Sequence, residues 1–577
     1  MAKGYRPVDR DQQFLLPPDM REWLSASDPV WLVIEVIRRC ETSKFHVGRR
    51  TGGAGRAGYD PDMLVTLLIW AWLQGVHSSR RIERLCGRDI AFRVICAGDA
   101  PDHVTIARFR QGFAAGVEQL FEQVLVVAHR LGLGQLGVVA LDGTKIAAPA
   151  STGQNRTADG LAKAAAAEQQ RQAARQAARE AAREAARAHA DTDAAEDDRF
   201  GDRHGDEMPD NEMPDNETPD NETPDDHDSG PDRGGDLRDR PRRDGGRHPG
   251  GRSRSARIAE ALADLQEQAR RDQAERQAQA AAREARSAAK GGRPVDGRPL
   301  AGTEIVLAEQ ALAAAREAAQ ARFQRWRGTG RGPRPPEPEN HWRVRRGLAR
   351  LARAHQLVAA RAARHPRRAS REPVRNITDP QSRLQPIAGG GWLQGYNAQA
   401  LTDSDGLIWA TQVSNSPSDQ PAFLPVIQEA AAAAERVGAG PIGLVLADAG
   451  YLSVDNLTAP GPDRLIAVGK RRNLEAAATT DAQDDVDEDP LDRDGCDGEP
   501  AVQAMRARLA TPAGITAYRQ RGWIAETTFG HGKHNLKFRR FTGTGLDHAR
   551  TEWRFHATVH NLSKIISSGL RPAWPTG

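Results

Sequence analysis

Between residues 151 and 372 the chain changes texture so completely that any core must be assembled from the two stretches flanking this interruption. Ala, Arg, Gln and Glu dominate it, and residues 204–226 carry the tandem pentads EMPDN, EMPDN, ETPDN and ETPDD, followed by Gly/Arg/Asp-rich sequence. Such a stretch has too little apolar surface to offset the entropy of ordering it, which predicts disorder for the pentads and their sequel. Around them, residues 160–190, 258–289, 304–327 and 343–364 read as helices whose main apolar residue is Ala. With so little to pack, a solvated or loosely coiled arm is expected. The basic run 341–375 can contact phosphates, or it is simply a solvated face.

A chain of 577 residues exceeds what one hydrophobic core usually encloses, so two or more folded units are expected. The 81 Lys and Arg nearly balance 77 Asp and Glu, so it is the segregation of charge along the chain, rather than its sum, that is informative. Cys40, Cys86, Cys96 and Cys496 lie far apart without a Cys-x-x-Cys, which argues against a zinc ribbon or a disulfide framework and fits ordinary thiols in a reducing cytosol. The beginning, MAKGYRPVDRDQ, lacks the apolar core of a signal peptide, and LVTLLIWAWL is half a membrane span. A cytoplasmic location, nucleoid-associated when on DNA, and no membrane partner are expected.

Residues 14–133 have globular composition and helical apolar spacing, with Ser78, Ser79 and Asp102 as helix starts. They predict a small all-α domain able to place a helix in a DNA groove, or equally a bundle whose arginines are solvated. Residues 137–150, GVVALDGTKIAA and its sequel, switch to a short apolar run ending in an acid, a strand signal. In residues 376–570, GGWLQGYNAQALTDSDGLIWATQVSN reads as two strands around a turn at Ser404-Asp405-Gly406. A helix over 417–436, the strand PIGLVLADAGY, the strand RLIAVGK, an acidic loop over 473–500 and terminal helices follow. That order predicts an α/β fold, a mixed sheet flanked by helices.

Two acids occupy telling places in it. Asp142 follows VVAL and Asp448 follows GLVLA, so each apolar strand delivers a carboxylate to its end, where α/β sheets open their sites. Glu526 lies in a helical segment. Phosphodiester chemistry needs such a set, because two divalent cations about 3.5–4 Å apart stabilise the attacking and leaving oxygens of an in-line displacement. Hard Mg²⁺ demands oxygen ligands. Each acid also has an ordinary reading: Asp142-Gly143 as a hairpin turn, Asp448-Ala449-Gly450 as a loop, and Glu526 as a solvated helix residue.

Around the third acid the chain reads Tyr518-x2-Arg521-x4-Glu526-x6-Lys533, which resembles the Tyr, Arg, Glu, Lys signature of insertion-sequence DDE transposases. Glu526 and Lys533 are seven residues apart and share a helix face. ITDPQSRLQP with GYNAQALTD, LADAGY and VHNLSKI resemble further motifs of that family in its order, and FLLPPDMREWL and DHVTIARFRQGF resemble its N-terminal helical domain. The resemblance implies an RNase H-like catalytic fold, Mg²⁺ dependence with Mn²⁺ as a substitute, binding to terminal inverted repeats and target DNA, and action as a homo-oligomer. Carried onto this chain, Asp142, Asp448 and Glu526 become metal ligands, and Tyr518, Arg521 and Lys533 position terminal phosphates. The chain departs from a common form of the signature, which has three residues between Arg and Glu where four stand here, and the insertion after Asp142 is unusually long. Deleting residues 200–250 is expected to leave catalysis intact.

Other readings are a decayed or domesticated copy that only binds DNA, a two-metal nuclease of the same fold, and a helix-turn-helix regulator. His531, His534, His556 and His560 lack the spacing of a metal site and read as satisfied or solvated, while Trp523, Trp553 and Phe529 read as core, with Trp523 also able to stack on a flipped base.

Overall fold

The computed structural model describes residues 19–47, 58–200, 253–289, 303–364, 372–387, 390–469 and 499–570. The pentads and nearly all of the expected acidic loop lie outside these residues. Two compact units are distinguished, Met1–Ala162 with Ala256–Gly577, and Lys163–Ser255. In the smaller unit, the described part is mostly one long helix, α8 (Ala158–Phe200), exposed on every side over residues 171–185.

Among the described residues, the larger unit begins with the α-helices α1 (Pro29–Arg39), α2 (Ser43–His46), α3 (Pro61–Leu73), α4 (Ser79–Arg88), α5 (Ile90–Ile95), α6 (His103–Gln111) and α7 (Ala114–Arg130). Asp28, Asp60, Asp89 and Asp102 cap α1, α3, α5 and α6 by accepting first-turn backbone N–H groups that have no partner inside the helix. Helix α3 is apolar nearly all round and is buried from Leu64 to Trp72. Cys86 and Cys96, ten residues apart in sequence, bring their sulfurs to 3.7 Å as free thiols.

The sheet is built from β1 (Val138–Ala147), β4 (Arg383–Pro386), β5 (Trp392–Asp403), β6 (Ile408–Ser414), β7 (Leu444–Ala447) and β8 (Asp463–Ile466), while β2 (Asn155–Arg156) and β3 (Arg375–Asn376) pair separately. Strand β1 is central. On one side it pairs antiparallel with β5, which carries β6 and β4 on its other edge, and on the opposite side it pairs parallel with β7 and then β8. Helices α12 (Phe423–Val437), α13 (Val454–Thr458), α14 (Pro500–Leu509), α15 (Pro512–His534) and α16 (Leu546–Ser567) complete the layers.

Strand alternation sorts the core. Val139, Leu141, Val445, Ala447 and Ile466 face one layer with α7, α12 and α16, and that core runs on into α1 and α3, where Trp72 meets Phe538 and Phe555. Ala140, Leu446 and Leu465 face the other, with Val502, Met505, Leu509, Ile524 and Ala525 of α14 and α15.

The remaining helices are α9 (Arg254–Ala289), α10 (Thr303–Thr329) and α11 (Trp342–Arg364). The expectation of a loose arm needs correction for α9, whose first half is docked on β3 and β4. Asp264 pairs with Arg375 and, at 2.6 Å, with Arg383; Glu260 accepts from Gln381 at 3.0 Å. The Arg375 side chain is only 6% exposed, and a buried guanidinium needs an acid; Asp264 supplies it where Ala supplies little apolar contact. No helix among the described residues is long and apolar enough to cross a membrane.

Candidate active site

The parallel ladder between β1 and β7 ends at the pair Leu141 and Ala447, so the next residue on each strand, Asp142 and Asp448, is the first beyond it. Period-two alternation sends both toward the layer of α14 and α15, since Ala140 and Leu446 already face it. Asp142 is nevertheless inside a strand, because β5 continues along the other edge of β1 as far as Ala147. The hairpin-turn reading of Asp142-Gly143 is thereby overturned. Gly143 leaves room for the Gln399 amide: a Cβ there would stand 2.4 Å from Gln399 Nε2 and force that side chain to move. Asp448 caps the turn that follows β7, accepting from the Gly450 N–H at 2.9 Å.

Helix α15 crosses these strand ends. The Tyr518 hydroxyl donates to the Ala447 carbonyl at 3.1 Å, and one Arg521 nitrogen lies 3.0 Å from Asp142 Oδ2 and 3.7 Å from Asp448 Oδ2. The guanidinium thus bridges the two carboxylates. Burial raises Asp142 to about 6; the Arg521 charge opposes this and the Asp448 charge adds to it. Asp448 is raised by the same burial, again against Arg521. Burial pushes the Tyr518 phenol up to about 12. Lys533 is half-buried further along α15 beside Thr144 and Ile146 of β1, and burial with the nearby Arg539 charge lowers its pKa. Glu526 stands on the exposed side of the helix between Arg521 and Lys533 and forms no ion pair among the described residues.

A fourth carboxylate, missed in the sequence, adjoins the pair. Asp419 Oδ1 accepts from Lys145 Nζ at 3.1 Å, Asn397 Nδ2 at 2.6 Å and Gln399 Nε2 at 2.7 Å. Its other oxygen faces Gly450 in the Asp448 turn, and its charge adds to the upward pressure on Asp142 and Asp448. Gln399 also receives the Tyr451 hydroxyl, tying this network to the same turn. Asp419 lies in the loop SNSPSDQPA, where neither periodicity nor spacing marks it.

The histidines divide between core and surface. His556 and His560 are buried, His560 contacts the Gly406 carbonyl at 2.8 Å and His531 at 3.2 Å, and His534 is exposed. Burial drives the imidazoles of His556 and His560 toward the neutral form. Phe529 stacks on buried Trp553 as expected, whereas Trp523, read as core, is 50% exposed.

A transposase domain family (DUF772) matches residues 19–112, and a transposase DDE domain family matches residues 365–562. The second span contains Asp448, Tyr518, Arg521, Glu526 and Lys533, while Asp142 and helices α9 to α11 fall outside both. No curated protein and no solved structure matches the chain.

Proposed function

The chain belongs to the DDE transposases of insertion sequences, enzymes that cleave DNA and transfer its strands, and from that membership we propose that Asp142, Asp448 and Glu526 hold its divalent cations. The family implies an RNase H-like fold and dependence on a divalent metal. In this reading the ion is Mg²⁺, with Mn²⁺ as a substitute, and the enzyme acts as a homo-oligomer on terminal inverted repeats and target DNA in the cytoplasm.

The observation that carries the assignment is the placement of Asp142 and Asp448 side by side with one cationic group between them. Two adjacent carboxylates, both raised by burial, repel each other unless a positive charge joins them, and here Arg521 supplies it. The donor set is all oxygen, which suits a hard cation. Glu526, exposed and without an ion pair among the described residues, is available as the third carboxylate.

A bound metal pair would supply activation of the attacking oxygen and stabilisation of the leaving one, with water attacking at the element's end and the freed 3′-hydroxyl attacking the target. The chain's own groups set up that chemistry. Tyr518 fixes the end of β7 through the Ala447 carbonyl and so aims Asp448. Arg521 holds both carboxylates in register, and its guanidinium would be free to turn to a phosphate if Asp142 and Asp448 held a cation. Lys533, with no ion pair among the described residues, offers its ammonium to a terminal phosphate.

The test is Mg²⁺-dependent cleavage of a DNA fragment carrying the gene's own flanking ends, comparing the natural protein with Asp142→Ala, Asp448→Ala and Glu526→Ala. Each single change is expected to abolish cutting and spare end binding. Cutting that survives all three would place the active site elsewhere.

A further inference from the structure

We infer that the solvent face of α11 is a second DNA-binding surface, one that grips the phosphate backbone of duplex DNA independently of sequence. The inference rests on the reading of the chain as a DNA-working enzyme, but it concerns helices outside both matched spans.

Helix α11 is anchored. Val344 is buried against Leu312 and Ala319 of α10, with Leu351 packed alongside. Gly347 permits close approach, since a Cβ there would stand 3.0 Å from Leu312 Cδ1 and 3.2 Å from its Cα. Apart from these and buried Ala354, the helix is exposed from Trp342 to Leu357.

That exposed surface is cationic without compensation. Residues 303–364 contain 13 Arg and 5 Glu, and the stretch 342–364 has 7 Arg with no acid at all. Arg346, Arg350 and Arg353 follow one another at helical spacing along one line, a stripe roughly 10 Å long at about 1.5 Å per residue. All three are exposed, and none forms an ion pair among the described residues. The same line continues to Trp342, 59% exposed, and Leu357, 44% exposed.

Other helices of the interruption show what a merely solvated face looks like here. On α9, Glu267 takes Arg271 at 3.0 Å and Arg270 at 3.8 Å; on α8, Glu168 takes Arg171 at 3.9 Å. Each follows the i, i+3 or i, i+4 rule that lets opposite charges support a helix. Helix α11 forgoes this support and keeps a self-repelling row. The two acids of the connector preceding it are engaged elsewhere, Glu339 with Arg316 and Glu337 with Arg334.

A polyanion relieves such repulsion. Along one strand of a duplex, phosphates recur about every 3.4 Å of axis, so a stripe of roughly 10 Å meets about three of them. Arg favours phosphate through its planar fork of donors, and the exposed Trp342 and Leu357 can lie against sugar edges. An anionic membrane would also attract the row, but the line holds too few apolar groups to insert.

The experiment uses the full chain without divalent metal and follows anisotropy of a labelled random-sequence duplex across a salt series. Arg346→Ala/Arg350→Ala/Arg353→Ala is compared with the parent and with the triple Lys variant. Because all three side chains are exposed, an unchanged circular dichroism spectrum and Tm are expected for both. The slope of log K against log salt is expected to shrink by about 2.7, at ~0.9 for each phosphate no longer neutralised, and the Lys variant should retain most of it. A slope unchanged within about 0.5 overturns the inference while leaving the catalytic reading intact. A parent that fails to bind any duplex, including the element's ends, overturns both. Loss of binding to phosphatidylserine vesicles, with the duplex slope unchanged, would assign the stripe to membranes and overturn it as well.

Discussion

Replacing Arg110 should reveal how firmly the N-terminal helices are joined to the catalytic sheet. Arg110, on α6, reaches Glu552 of α16 at 2.5 Å across 442 residues of sequence, and the two side chains are 7% and 0% exposed. Arg110 also donates to the His77 carbonyl at 2.9 Å and to Thr542 Oγ1 at 2.7 Å, and its guanidinium lies 5.5 Å from the Trp72 ring. Arg110→Met keeps the aliphatic stem but leaves Glu552 buried with only the Thr542 backbone N–H and hydroxyl and the His548 ring as partners. Removing one partner of a buried ion pair costs about 3–5 kcal/mol, since the surviving charge loses its compensation. At ~2 °C per kcal/mol for a body this large, Tm should fall by roughly 6–10 °C.

The pH dependence gives an independent check. Burial alone would raise Glu552, but hydrogen bonding to His548, the Arg110 charge and Thr542 outweigh it and hold the carboxyl below its ordinary value. A depressed folded pKa contributes stability that is present above the unfolded pKa and lost as pH falls through the folded one. The parent should therefore lose stability as pH drops below the ordinary carboxylate value of 4.5, and the variant should lose less. Urea denaturation at several pH values measures both effects. An Arg110→Met protein within about 1 kcal/mol of the parent, with an unaltered acid limb, would refute the claim that this pair holds the layers together.

Gly143→Ala places a Cβ 2.4 Å from Gln399 Nε2 and should cost about 1–3 kcal/mol in denaturant titrations, with a larger proportional loss in cleavage because the displaced Gln399 also holds Asp419 and Tyr451. Metal-dependent cleavage should fall as pH drops through about 6, where protons compete for Asp142 and metal requirement rises; a pH profile flat from 7 to about 5 would contradict this. Asp419→Asn removes a negative charge that raises both strand-end acids, so the same profile should shift to lower pH, and a shift to higher pH would show that the Lys145 contact dominates instead.

Much of this architecture is written locally. The runs VVAL and GLVLA announce strands, the Ser404-Asp405-Gly406 turn lies between β5 and β6, and the chain positions of Tyr518 and Arg521 agree with a helix that meets both strand ends. Periodicity carries such information because each strand or helix records in its own residues which face is buried. Asp142 shows where local reading stops: its strand has two edges with different partners, so it ends at Leu141 on the β7 side and runs to Ala147 on the β5 side. A carboxylate can therefore sit at the mouth of a sheet while its backbone remains fully paired along one edge, and no one-dimensional pattern distinguishes that from a turn. Pairs such as Arg110 with Glu552, Asp264 with Arg375, and Asp419 with Lys145 are invisible for the same reason, since each joins elements far apart in sequence that only the folded structure brings together. Burial makes Arg110, Glu552 and Arg375 the most consequential of these charges, because a lone buried ion is costly and its partner must come from wherever the fold brings one. The long interruption leaves the site legible because β1 and β5 pair in unbroken register from Val139–Asp403 to Ala147–Gly395 across it. Closing a longer loop adds only about (3/2)RT ln n, so an insertion between two strands can lengthen greatly while the strands that carry the acids keep their register.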